Sequence, residues 1–400
     1  MKLLGHVRNP TSNRPNLSIM SSQSTKPRML NNTAYTGIAI IFTALGLTSG
    51  GWGPVLPWLA ERHGVDVATV GLMLFVFNAG AGIGIIGSQL LIKRKTVYWF
   101  LRVGILMFSI GFAGIVLTPT FFWSMTASVV AGFGFGVLDV GLLQAITRSV
   151  NSSGPRINLT NAFFAIGAVA GPFLVGVFSA NRIPAIIVFT IVVASLAILL
   201  MPGLDWKVEV VVSDQKVSRD PKLIGLFTVA IGTYVGIEIA AGSWLPTMIQ
   251  ERSGSLEQGA LTGALFYLMF AIGRLIGTPM AHRFSSEQML LGSVYLSTPM
   301  LLVAILVPAI SPYALAMMAM MLGPVFANAS NWIAQKSPGD PMATTWLMLA
   351  AMAGALSLPT MTGYAMRAWG TESLPLVLAP MLIVSTACFT YLIRHWRTRS

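Results

Sequence analysis

The sequence predicts an all-α integral membrane protein, with twelve transmembrane helices arranged as two pseudo-symmetric six-helix bundles. Three observations carry this. Of 400 residues, 54% are hydrophobic and only 10% charged, and the mean hydropathy is +0.74. A water-facing surface needs about a quarter charged residues, so lipid is the solvent that suits this composition. The apolar residues come in runs of about 20, the length that crosses a hydrocarbon core. Lastly, the longest interior polar segment falls near the midpoint, and the two sides of it resemble each other. The 39 glycines and 22 prolines agree with this class, because membrane helices tolerate both.

Taken in order, residues 1–33 are polar and basic and lack the apolar stretch of a signal peptide, so a disordered cytosolic tail is expected there. Spans follow near 34–60, 70–92, 97–118, 120–147, 157–180 and 183–202, which make an N-terminal bundle over 34–202. A cytosolic loop over 203–221 separates it from spans near 222–250, 259–282, 287–309, 312–333, 343–366 and 374–394. These form the C-terminal bundle, 222–394, and residues 395–400 are a cytosolic tail.

Basic residues orient the chain. With the N-terminus inside, nineteen of the 25 Lys and Arg fall in inner segments, among them Lys93, Arg94, Lys95, Arg148, Arg156, Lys207, Lys216, Arg219, Lys222, Arg283 and Lys336. Four fall outside: Arg62, Arg182, Arg252 and Arg367. Both termini are therefore expected in the cytosol, with a plasma (inner) membrane as the default. The net charge of +12 reads as topology and not as a phosphate-binding face, so no nucleic-acid partner is expected. The single cysteine, Cys388, rules out an internal disulfide.

The halves repeat. LPWLAERHG, Leu56 to Gly64, is matched by LPTMIQERSG, Leu245 to Gly254; AGIGIIG, Ala81 to Gly87, is matched by AIGRLIG, Ala271 to Gly277. Repeated halves with a binding site between them near the midplane are a feature of transporter folds.

Six plus six helices, a central loop and half-repeats resemble the major facilitator superfamily. Within it, several segments resemble the fucose-permease-like branch of sugar:proton symporters: GVLDVGLLQAITR (Gly136 to Arg148), LTNAFFAIGAVAGPFLVG (Leu159 to Gly176), YVGIEIAAGSW (Tyr234 to Trp244), GRLIG in the eighth span and MLGPVF (Met321 to Phe326). The chain departs from the superfamily in the loop after the second span, GSQLLIKRK, which lacks the usual acid, and from the branch in the first span, GLTSGGWGPVLP, which has none. Gly167, Gly171, Pro172 and Gly176 form GxxxGPxxxG, similar to a motif of the superfamily's exporters; a small-residue packing seam is the competing reading.

Of thirteen acids, Asp139 and Glu238 are the two well inside expected spans. Ionised carboxylates there cost at least about 2.5–3.5 kcal/mol, so they face a cavity or a partner. A carboxyl in that setting is suited to carrying a proton; a fixed ion pair or a bond to helix backbone is the structural alternative. Arg102 is close enough to its helix start to snorkel. Arg274 is too deep, and its candidate partners are Asp139 and Glu238. Asn161, Gln144, Asn78, Tyr234, Trp244, Asn328 and Asn331 are the polar and aromatic residues that could recognise a solute, the alternative for the asparagines being hydrogen bonds between helices. Trp99, Trp123, Trp369 and Trp396 are expected interface anchors.

No second intramembrane aspartate, no metal-ligand set and no GxxxxGK[ST] is present, so an enzyme, a metal site or an ATP-driven pump is not expected, nor any cofactor. The expected function is a monomeric, proton-coupled secondary transporter for a small, sugar-like solute. Proton-driven efflux of a hydrophobic metabolite or drug is one alternative, and a non-transporting sensor or scaffold is another.

Overall fold

The computed structural model describes residues 30–91, 94–147, 154–178, 180–201, 204, 221–336 and 343–397. Most of the expected leader and central loop lie outside them, as do Lys93, Arg148, Lys207, Lys216, Arg219 and Arg399. Among the described residues the first half holds α1 (Asn32–His63), α2 (Val67–Leu91), α3 (Val97–Leu117), α4 (Phe121–Thr147), α5 (Gly154–Phe178) and α6 (Ile183–Ala197). The second holds α7 (Pro221–Ser253), α8 (Leu256–Met280), α9 (Ser286–Leu306), α10 (Ser311–Leu322), α11 (Val325–Lys336), α12 (Ala343–Trp369) and α13 (Leu374–Arg397). Together they form twelve segments long and apolar enough to cross a membrane, α10 and α11 counting as one.

Local chemistry sets the ends. Asn31 accepts from Ala34 N at 2.7 Å and opens α1; Thr96 does the same for α3 and Ser255 for α8. Ser285 and Gln288 form a reciprocal capping box at α9. The repeat is visible in the backbone. Gly64 closes α1 at φ 63° and Gly254 closes α7 at φ 69°, a left-handed conformation that any Cβ would strain.

The expected span 312–333 is not one helix. It breaks at Gly323–Pro324 into α10 and α11. Proline supplies no N–H to continue the ladder, and Gly323 lies so close to α8 that a Cβ would come 2.6 Å from Phe270 O.

The glycine–proline seam of α5 is a packing device. Cβ atoms on Gly167 and Gly171 would come within about 2 Å of Thr43 O and Leu47 O of α1, while Gly176 faces Ala260 and Leu261 of α8. Small residues here let two backbones touch, gaining dispersion where lipid offers no hydrophobic drive.

Candidate functional site

The halves meet at the end of the bundle that carries the α1–α2 and α7–α8 turns, here called the sealed end. Gly53 of α1 crosses α7 so closely that a Cβ would stand 2.8 Å from Gly242 O and 2.7 Å from the Pro246 ring. Gly53 and Gly242 are equivalent positions of the repeat, so the crossing lies on the pseudo-two-fold axis. Nearby, Thr360 of α12 donates to Gly71 O of α2 at 3.3 Å, and Pro172 of α5 lies against Gly263 of α8. At the rim, Asp66 in the first turn region faces Arg367 of α12 at 3.4 Å.

Away from the sealed end, each half carries charged side chains within its expected spans. On α7, Glu238 lies one turn from Gly242, about 6 Å along the axis. Its Oε2 accepts from the Tyr234 hydroxyl at 3.1 Å, and its Oε1 is 3.7 Å from Arg274 Nη2. Arg274 lies on the α8 stripe of Gly263, Tyr267 and Phe270, spaced four, seven and eleven residues apart, which is a single helix face. That face touches the other half at Gly263, against Pro172, and lies on Gly242 of α7 at Tyr267. The Arg274 side chain is 36% exposed and that of Glu238 19%, so the pair borders open space. The guanidinium lies over the Phe270 ring, 4.4 Å from its centroid.

In the other half, Asp139 shares the α4 face of Gly132 and Gly136, which pack on α2. It is half-buried, about 12 Å along the axis from Thr147, and makes no hydrogen bond or ion pair with any described residue. Of the two candidate partners for Arg274, the structure chooses Glu238.

The other sequence candidates divide. Tyr234 is fully buried and bound to Glu238. Trp244 does not reach the open space: its ring lies beneath Gly71 and Gly363, and its indole N–H donates to Pro359 O at 2.7 Å. It is part of the contact between the halves at the sealed end. Asn78 and Asn328 spend their amides on Leu74 O and Pro324 O of their own chain segments, at 2.8 Å each; Asn328 thereby supports the α10–α11 break. Asn161 and Asn331 are exposed, and Gln144 is half-buried with a partner of its own. Arg102 stacks on Tyr98, 4.2 Å from the ring centroid, and Lys95 lies over Trp99; Trp123 and Trp369 are exposed.

Sequence reasoning missed Tyr267 and Phe270, which stand beside the Glu238–Arg274 pair, although their helical spacing to Arg274 was available. It also missed Gly53, whose role shows only in the packed bundle. A cavity of about 930 Å³ lies elsewhere, between α9 and α13, lined by Tyr295, Leu302, Leu382, Ile383 and Tyr391. It holds none of the intramembrane acids. Among the described residues, no cluster of His, Cys, Asp and Glu could hold a metal ion.

A family model described as Major Facilitator Superfamily matches residues 38–342. No curated protein matches the chain. Solved structures match over most of its length. A bacterial homolog to the human lysosomal transporter Spinster, inward-facing and occupied, has a TM-score of 0.71 at 13% identity, covering 91% of this chain and 96% of that one. The nucleoside transporter NupG gives 0.68 at 11% identity, covering 90% and 99%. The E. coli fucose:proton symporter FucP gives 0.62 at 15% identity, covering 90% and 98%. At these identities the likeness is one of fold.

Proposed function

The chain belongs to the Major Facilitator Superfamily, and on that premise we propose that it is a proton-coupled carrier moving a small organic solute by alternating access. It is an integral, multi-pass membrane transporter. Its cycle needs a site reachable from one side at a time. The observation that carries the reading is the Glu238–Arg274 pair, an acid and a base side by side within the membrane spans and partly exposed, with a second acid, Asp139, in the other half.

Each acid has a distinct part. Glu238 is held by Tyr234 and faces Arg274. Taking up a proton there cancels the ion pair and frees the guanidinium. Asp139 has no cation beside it among the described residues, and in hydrocarbon a bound proton is the simplest counter-charge. Proton and solute together would then favour rocking of the two halves, since a ligand shifts a two-state balance by its difference in affinity for the states.

The basic segments support cytosolic termini in a plasma or inner membrane, with the sealed end facing out and the site open to the cytosol. Resemblance to the fucose-permease-like branch favours import of a sugar-like solute by a monomer. Asn161 and Asn331, both exposed, are the amides left to hydrogen-bond it. Export of a hydrophobic compound had the α5 glycine–proline seam and the missing first-span acid as its supports; packing against α1 and α8 accounts for the seam, and the missing acid still favours export.

The test is flux in proteoliposomes with and without an imposed pH gradient. Asp139→Asn and Glu238→Gln are each expected to cut gradient-driven accumulation by about tenfold or more, leaving counterflow exchange measurable. Accumulation that ignores both substitutions and the gradient would remove proton coupling. An absence of any counterflow in the unaltered protein would favour a sensor or scaffold.

A further inference from the structure

The ion pair in the second half constrains the solute's charge. Arg274 and Glu238 stand 3.7 Å apart, outside hydrogen-bond reach, where a charge-assisted N–H···O bond spans about 2.7–2.9 Å. The guanidinium therefore spends little of its donor capacity on Glu238. It also reaches the Tyr234 hydroxyl. Phe270 supports one face of the guanidinium plane, which orients the edge that recognises planar anions in two-point fashion.

Charge balance then decides what fits. With Glu238 ionised, the pair is neutral. With Glu238 protonated, the partly exposed Arg274 keeps a positive charge with no carboxylate partner, and an anionic solute is what restores its neutrality. No described residue supplies it. The helices packed on α7 and α8 carry their charged groups near their ends: Glu61, Arg62 and His63 of α1, Arg367 of α12, Arg394 and His395 of α13. Tyr267 beside Glu238 is a neutral phenol. A neutral sugar could hydrogen-bond the guanidinium but could not cancel its charge. A dianion would overshoot, because a second basic group is missing at this depth among the described residues.

We infer that the carried solute is an organic monocarboxylate, which takes the place of Glu238 on the Arg274 guanidinium while Glu238 holds the co-transported proton. One solute anion and one proton cross together, so this exchange at the pair is charge-neutral. The inference rests on the proton-coupled reading above and narrows its solute class to an acid, including a sugar acid.

Binding separates the two claims, because it needs no gradient. Purified full-length protein would be melted with acetate, lactate, gluconate, glucuronate or benzoate, and with glucose and fucose as neutral probes, at about pH 6 and about pH 8. At least one carboxylate is expected to stabilise the protein, more strongly at the lower pH, and glucose and fucose are not. Glu238→Gln mimics the protonated acid, and should raise that carboxylate's affinity at about pH 8 by roughly tenfold and flatten its pH dependence. Arg274→Gln should abolish binding. The double variant Glu238→Gln/Arg274→Gln, which strands no charge, guards against misfolding and should likewise not bind the carboxylate. Stabilisation by glucose or fucose alone, by none of the five carboxylates, or by carboxylates undiminished in the folded double variant would overturn the inference. Carboxylate binding as expected, but with accumulation indifferent to a pH gradient, would instead sink the coupling and leave the solute class standing.

Discussion

The two ends of the helix bundle are built on opposite principles. The sealed end is made of near-contacts between backbones. Gly53 lies on Gly242, Trp244 sits under Gly71 and Gly363, Pro172 lies against Gly263, and the one described ion pair between the halves, Asp66–Arg367, is at the rim. Away from that crossing, α7 and α8 carry the partly exposed pair Glu238 and Arg274. Small residues permit a dry, close fit that can form and part as a unit, since no charge must be desolvated. Charged residues hold the faces apart and demand water, a solute or a proton between them. A carrier needs both in one molecule.

This contrast can be broken from the sealed end. The largest effect is expected at Gly53→Val, which drives a branched side chain into Pro246 and the Gly242 carbonyl. Overpacking of this kind costs about 1–3 kcal/mol, and it falls on the closed state alone. Hydrogen exchange in the turns of α1 and α7 around the crossing should quicken, with the midplane pair unchanged; equal protection in variant and parent would refute the seal. Trp244→Phe should have a smaller effect of the same sign, because it adds no clash but strips the hydrogen bond to Pro359 O, about 1 kcal/mol, and withdraws the indole edge from Gly71 and Gly363. Faster exchange limited to α7 and α12 is the expected readout.

The smallest effect belongs to Asp66→Asn. Its side chain is 43% exposed and that of Arg367 58%, and such pairs contribute at most about 1 kcal/mol. The Thr69 hydroxyl, then the Thr69 N–H and Arg367, hold the Asp66 carboxyl below the usual carboxylate range. A lowered value means its contribution is full above the ordinary carboxylate range and fades only as pH falls through the lowered one. The rim pair should therefore be constant between about pH 8 and about pH 5. Any change in flux over that interval that survives Asp66→Asn comes from elsewhere, and the midplane acids are the proposed source.

The two halves differ as instructively as the two ends. Gly64 and Gly254 cap equivalent helices with the same left-handed turn, and Pro57 and Pro246 sit at equivalent points within α1 and α7. Yet at the repeat position of Arg274 the first half has Gly84, and at that of Glu238 it has Ser49. The scaffold is duplicated; the ion pair is not. One half thus offers a base and an acid together, and the other offers Asp139 alone.

Much of this was legible in the chain itself. Length and apolarity fixed the twelve spans to within a few residues, because the bilayer imposes one length on every crossing element. The stranded acids and Arg274 stood out because hydrocarbon penalises charge regardless of fold. Sequence could not say that Arg274 would face Glu238 and not Asp139, or that Trp244 would pack under Gly71 and Gly363. Each depends on which helix faces touch, and that is decided by shape at contacts between residues far apart in the chain. Periodicity gives a helix its faces; only the packed bundle gives each face its neighbour.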